Sequence, residues 1–169
     1  MSAMVILPRE GDVALGGFVT FKLAGHLTNG SLSIIEHQLA PGVLAAPPHT
    51  HQHEDEISYI LEGTITVQLG QQVMDAPPGT LVFKPRGEPH TFWNQGSVPV
   101  RLLEMITPAG FERYFAELHE VIAQPGSPNL DRITRLAQQY GLDLDFSRVE
   151  ELVQKYGVRL AATPQPGTA

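Results

Sequence analysis

Seven histidines and no cysteine set the chemistry open to this chain. Thiolate nucleophiles, thiolate ligands and disulfides are excluded. Four of the seven histidines fall in two short runs. The first reads His49-Thr-His51-Gln-His53-Glu54-Asp55-Glu56, and the second carries His90 between Pro89 and Thr91. Alternate side chains of a strand share a face, so His49 and His51 point the same way. His53 joins them only if the strand runs that far. Glu56 has the wrong parity for that run, so the reading requires a turn at about residues 52–55. After the turn Glu56, Ser58 and Ile60 share one face, as do His90 and Phe92 on a later strand. Three imidazoles and one carboxylate can thus converge. That donor set suits divalent Mn, Fe, Co, Ni, Cu or Zn. Four protein ligands leave open positions on a metal preferring five or six, which favours catalysis or ligand capture over a closed structural site. His26, His37 and His119 stand alone in the sequence and are given no function.

Strands must deliver these residues. The β-branched and aromatic run Phe18 to Leu23 reads as one, and Leu32 to Leu39 as the next. Between them Asn29-Gly30 supplies the positive-φ residues of a turn. Further strands are expected near residues 49–52, 56–61, 64–69, 80–83, 90–94 and 99–107, separated by Gly- and Pro-rich breaks. Many short strands with regular turn signals mean a sandwich or small barrel.

At Pro108 the hydrophobic period changes. Phe111, Tyr114, Phe115, Leu118, Val121 and Ile122 lie on one helical face. Pro125-Gly126 is expected to end that helix, and Ser127-Pro128 to start another. Leu130, Ile133, Leu136, Ala137 and Tyr140 form its apolar stripe, with Gly141 as a left-handed stop. Residues 130–144 then recur as residues 146–160: Arg132, Leu136, Gln138, Tyr140 and Gly141 align with Arg148, Leu152, Gln154, Tyr156 and Gly157. Ser147 and Glu150 read as a capping box. The unit is helix, glycine stop and short extended tail, twice over. Packing on the barrel or on a partner subunit is preferred for this pair over a mobile lid or a DNA-reading helix pair, because the segment is not basic.

The chain of 169 residues is long enough for one domain with a real core. Its formal charge of −7 argues against a nucleic-acid partner. No basic run precedes an apolar stretch at the N-terminus, and no apolar run approaches a membrane span, so a soluble cytoplasmic protein is expected.

Two framed motifs carry a resemblance. Gly42, His49, His51, Glu56 and Gly63 form the first, and Gly79, Pro85, Gly87, His90 and Asn94 the second, with 15 residues between them. They resemble the paired motifs of the cupin superfamily, apart from a spacer after Gly42 that is one residue longer. The resemblance implies a mainly β fold, a cupin jelly-roll β-barrel followed by C-terminal α-helices, and commonly a homodimer. With the change of period at Pro108, a barrel is expected over residues 1–108, a helical extension over 109–160 and a disordered tail over 161–169. By family position His49, His51, Glu56 and His90 bind a divalent transition metal, with His53 as an alternative to His51. Asn94 is expected to be structural.

The whole chain is also similar to single-domain cupins described as quercetin-dioxygenase-like. That likeness implies an oxygenase acting on a small aromatic or enolic substrate, with Glu56 as the candidate base. Ser58, Ile60 and Phe92 should line the barrel; Phe83, Leu103 and Met105 are further wall candidates. Lys84, Arg86 and Arg101 are the nearby cations. Two of them flank a turn and are expected to face solvent, which favours an apolar ligand over a phosphorylated sugar. The alternatives are a metal-dependent isomerase or epimerase, which would turn over without oxygen, and a non-catalytic small-ligand-binding module.

Overall fold

The computed structural model describes residues 4–124 and 129–161. Its barrel strands in chain order are β1 (Asp12–Ala14), β2 (Val19–Leu23), β3 (Ser33–Leu39), β4 (Val43–Leu44), β5 (His49–His51), β6 (Asp55–Glu62), β7 (Ile65–Leu69), β8 (Gln72–Ala76), β9 (Leu81–Lys84), β10 (His90–Asn94) and β11 (Val100–Thr107). After them come α1 (Glu112–Ile122), α2 (Leu130–Gln139), β12 (Leu142–Leu144), α3 (Val149–Tyr156) and β13 (Arg159–Leu160). The fold is a mainly β jelly roll of two sheets with C-terminal helices. One sheet has the order β1-β2-β3-β11-β6-β9. In the other, β7 flanks one side of β10, and β4 and β5 pair with its other side.

The expected turn is a bend at Gln52-His53 between β5 and β6. Asn29 and Gly30 take positive φ, as their turn requires. β8 has no counterpart in the sequence reading. Four of its five residues are exposed and it carries no apolar alternation, so it forms only as the return strand of a hairpin with β7 across Gly70.

Strand alternation fills the barrel in layers. Leu39, Ile60, Val67, Phe92 and Leu102 belong to one apolar cluster. Val19, Ile35, Ile106, Phe111, Tyr114, Leu136 and Ala137 belong to another, in which α1 and α2 close over the barrel. Along β11 the inward positions run Leu102, Glu104, Ile106, so a polar layer lies between two apolar ones.

The duplicated C-terminal unit does more than add helices. Its two extended tails become strands: β12 pairs antiparallel with β5, and β13 parallel with β4. Together they cover backbone that β4 and β5 would otherwise present as an open edge. Leu152 of α3 packs with Trp93 and Leu44 on the outside of the same sheet. Gly141 and Gly157 both take left-handed φ, of 65° and 64°, as the repeat predicts. Ser127-Pro128 lies outside the described residues; α2 begins at Leu130, capped by the Asn129 side chain accepting from the Arg132 amide. The expected Ser147–Glu150 box does not form. Asp145 accepts from the Ser147 amide instead and opens a 3-10 turn, Phe146–Arg148, that leads into α3.

Candidate metal centre

β5 turns His49 and His51 inward and Thr50 outward, where β12 pairs with it. His90 starts β10 directly opposite His49, and the two ring centroids are 4.4 Å apart. Glu56 enters from β6. One ligand atom from each of His49, His51, Glu56 and His90 lies within 4.8 Å of the others. The structure thus brings together the four residues singled out in the sequence. His53 is exposed in the bend, its ring against Gly141.

Nδ1 of His49 lies 2.8 Å from the Pro47 carbonyl, and Nδ1 of His90 lies 3.0 Å from the Glu88 carbonyl. Each donates its hydrogen there, so in the neutral ring the lone pair lies on Nε2. His51 Nδ1 faces Glu54 Oε2 at 3.4 Å, outside hydrogen-bond geometry but with the charge placed to favour the same tautomer. Nε2 of His51 and His90 face the two oxygens of Glu56, at 3.4 and 3.1 Å.

Burial, then the neighbouring imidazoles His90 and His51, hold the His49 pKa well below its ordinary value. Burial likewise lowers that of His90. Burial alone would raise Glu56, but Lys84, His51 and His90 together hold its carboxyl well below the usual range. Neutral imidazoles with an ionised carboxylate are the protonation states a divalent cation needs. The donor set therefore fits a divalent transition metal.

Two turns are tied together to make this arrangement. Arg86 grips Asp55 through Nε at 3.0 Å and Nη2 at 2.9 Å, and its amide donates to the same carboxylate. The Gly87 amide donates to the His51 carbonyl at 2.8 Å. The turn presenting His90 is thus fastened to the bend between β5 and β6. Asn94, expected to be structural, donates from its amide to the carbonyls of Leu39 and Val98.

Lys84 corrects the sequence reading. It was expected to face solvent beside a turn, yet it is 1% exposed and lies inside the barrel. Its Nζ is 2.9 Å from Glu56 Oε2 and 2.7 Å from Glu104 Oε2. Removing an ammonium from water costs several kcal/mol, and the two carboxylates offset that cost. Burial lowers the Lys84 pKa, but Glu104 and Glu56 more than reverse this and leave it raised. Burial pushes Glu104 up to about 7 despite Lys84, with Glu56 adding to the rise. The missed signal was register: Lys84 pairs with Glu56 and Val82 with Ser58, so all four share the inner face. Phe83, a wall candidate, is consequently 52% exposed on the outside. Leu103 and Met105 alternate outward from Leu102, Glu104 and Ile106. Arg86 and Arg101 stay outside, on Asp55 and on Glu36 with Glu62.

Ser58, Ile60 and Phe92 are all buried within the barrel. The Ser58 hydroxyl is engaged with Glu104, at 2.9 Å from Oε2 and 3.1 Å from Oε1. His37, read as having no role, also lies inside. Its ring is 4.7 Å from Phe18, 5.7 Å from Phe92 and 5.6 Å from Phe115, centroid to centroid. Burial and then Lys84 lower its pKa to about 3. Phe111 packs edge-on against His51 at 4.4 Å. The helical period placed Phe111 on the buried face of α1 but could not show which barrel residue it meets.

Two sheets close around this buried His/Glu cluster, and the comparisons show what the chain is similar to. The family model "Cupin domain" matches residues 35–106. The chain is 33% identical over 81 residues to the tetracenomycin polyketide synthase protein TcmJ of Streptomyces glaucescens. That match covers 48% of this chain and 52% of TcmJ, so the chain spans about half the length of this curated relative. Among solved structures, a Cupin 2 conserved barrel domain protein from Salinispora arenicola CNS-205 aligns with a TM-score of 0.53 at 20% identity, over 70% of this chain and 100% of that one. A sugar phosphate isomerase of the cupin superfamily from Silicibacter pomeroyi DSS-3 aligns with a TM-score of 0.47 at 22% identity, over 53% of this chain and 59% of that one.

Proposed function

We propose that His49, His51, Glu56 and His90 hold one divalent transition metal, and that the protein is a dioxygenase-type oxidoreductase for a small enolic or phenolic substrate. The observation that carries this is the direction of the imidazoles. Acceptors outside the cluster take Nδ1 of His49 and His90, and Glu54 faces that of His51, so Nε2 is left to coordinate beside Glu56. A bound divalent ion supplies Lewis acidity that favours the deprotonated form of a substrate hydroxyl. The chain's own residues do the rest. Phe111, Phe92, Phe115 and Phe18 surround the centre and His37 with aromatic rings, which supports an aromatic ligand in water-poor surroundings. Glu56, held ionised by its neighbours, serves as a ligand more readily than as a base. The likeness to a polyketide synthase protein supports including polyketide-type phenols in a substrate panel. The test is oxygen uptake with flavonols, dihydroxy-aromatics and such phenols. Uptake that His49→Ala and His90→Ala abolish supports the reading, and no uptake with any divalent metal and substrate counts against it.

The buried Lys84–Glu104 pair favours one second reading, a proton-transferring isomerase or epimerase in the same barrel. Turnover that persists when oxygen is removed selects it. The ammonium gives no support to a phosphorylated substrate, since both of its partners are carboxylates already in place. We further propose a homodimer formed through the outer face of the six-stranded sheet. Tyr59, Leu81 and Phe83 are 40%, 59% and 52% exposed there.

A further inference from the structure

We propose that Lys84, Glu104 and Ser58 are positioning residues for the metal centre, forming a buried chain that fixes the Glu56 carboxylate in the orientation of a ligand. This inference rests on the metal reading of the four-residue cluster.

The chain begins and ends on one strand. Ser58 of β6 donates to Glu104 of β11, which accepts from Lys84 of β9, which donates to Glu56 two residues before Ser58. Two of the three links join cross-strand neighbours, Ser58 opposite Glu104 and Glu56 opposite Lys84, and the third, Lys84 to Glu104, reaches across β6 from β9 to β11. The backbone ladder therefore holds all four on the inner face at fixed spacing. Glu104 and Lys84 are each 1% exposed, so solvent does not compete for these bonds. Lys84 Nζ also lies 5.2 Å from the Phe92 ring centroid, which limits its freedom on that side.

The charges explain why two residues are needed. A lone buried cation beside Glu56 would compete with a divalent ion for the same carboxylate. Glu104 offsets that cation from the far side, leaving Lys84 free to orient Glu56 without adding net positive charge to the interior. Partners behind a ligand commonly matter this way: their loss costs about 10–100-fold in metal affinity. A purely structural role as glue between β6, β9 and β11 would leave that affinity unchanged.

The test is titration of metal-free wild type and variants with Co²⁺ at pH 8, followed by calorimetry and by the visible absorption of the bound ion. The variant Lys84→Met/Glu104→Gln removes one charge of each sign and so separates orientation from net charge. It is expected to bind Co²⁺ about 10–100-fold more weakly, with an altered spectrum. Glu104→Gln alone leaves the ammonium unbalanced and is expected to bind more weakly still. Ser58→Ala, a change small enough to fold if the double variant does not, is expected to show a few-fold loss and a shifted spectrum. Wild-type affinity and spectrum in the double variant, or in Ser58→Ala where that is the only one to fold, would overturn the proposal and leave the metal reading standing. Failure of the wild type itself to take up Co²⁺ would remove the metal reading and this proposal with it.

Discussion

His49, His90 and His37 are kept neutral inside the barrel chiefly by burial, and each has a different use. The first two are oriented by backbone acceptors at Nδ1 and join the four-residue cluster; the third sits among phenylalanines. A metal that binds the folded chain alone adds stability of RT ln(1 + [L]/Kd), about 2.7 kcal/mol at a hundredfold excess over Kd. Thermal unfolding with and without a divalent ion should show this gain in the wild type. A gain of equal size in His90→Ala would contradict the ligand assignment. Acid sensitivity follows from the same burial. His37 titrates at about 3 in the fold against an ordinary 6.5. Between those values the unfolded chain binds the extra proton, so this contribution to stability is complete above about pH 6.5 and is lost as pH falls toward 3. The slope for one such group is at most about 1.4 kcal/mol per pH unit. His37→Phe should flatten the fall in thermal midpoint between pH 6 and 4, and an acid limb identical to the wild type would refute this account. Lys84 shows what residue identity hides. A lysine before a Pro-Arg-Gly turn carries every sign of a surface residue, and only its register opposite Glu56 reveals the buried ion pair.

Among the elements, β5 depends on a strand far away in the chain. β12 pairs with it at Leu142, Asp143 and Leu144, opposite His51, Thr50 and His49. Gln52 reinforces the join, donating from its amide to the Gly141 carbonyl and from its side chain to Asp143. Gly141 itself has φ of 65°, and a Cβ there would lie 2.7 Å from the His53 ring. Gly141→Ala should therefore destabilise the protein by roughly 1–2 kcal/mol and weaken metal binding through β5. An unchanged midpoint and metal affinity would show that the tail does not support the centre. The inner faces of β5, β6 and β10 were legible in the sequence because parity and the two framed motifs both specify them. The repeat was legible as two copies of helix, glycine and tail. Its docking was not, because a tail of two or three residues carries no pattern that names its partner strand. A lack of apolar alternation hid β8, whose Val73 and Met74 are adjacent and exposed, and the apolar character of Phe83 suggested the inside of a barrel.

Taken as a molecule, the protein hides its charges and shows some of its hydrophobes. A Lys–Glu–Glu cluster is sealed between two apolar layers, while Tyr59, Leu81 and Phe83 stand on the outer face of the six-stranded sheet. If two copies meet there, Phe83→Asp should shift the sedimentation coefficient from that of a dimer to that of a monomer without changing metal affinity. A wild type that sediments as a monomer at all concentrations would exclude the homodimer. No described helix is long and apolar enough to cross a membrane. The central claim remains the centre itself, with imidazoles fixed through Nδ1 and an ionised Glu56 gathered for a divalent ion. Elemental analysis of protein purified without a chelating tag, alongside His49→Ala and His90→Ala, tests it most directly. The account predicts about one equivalent of a divalent transition metal per chain in the wild type and little in either variant. A wild type that carries no metal and takes none up when supplied with it would contradict the account.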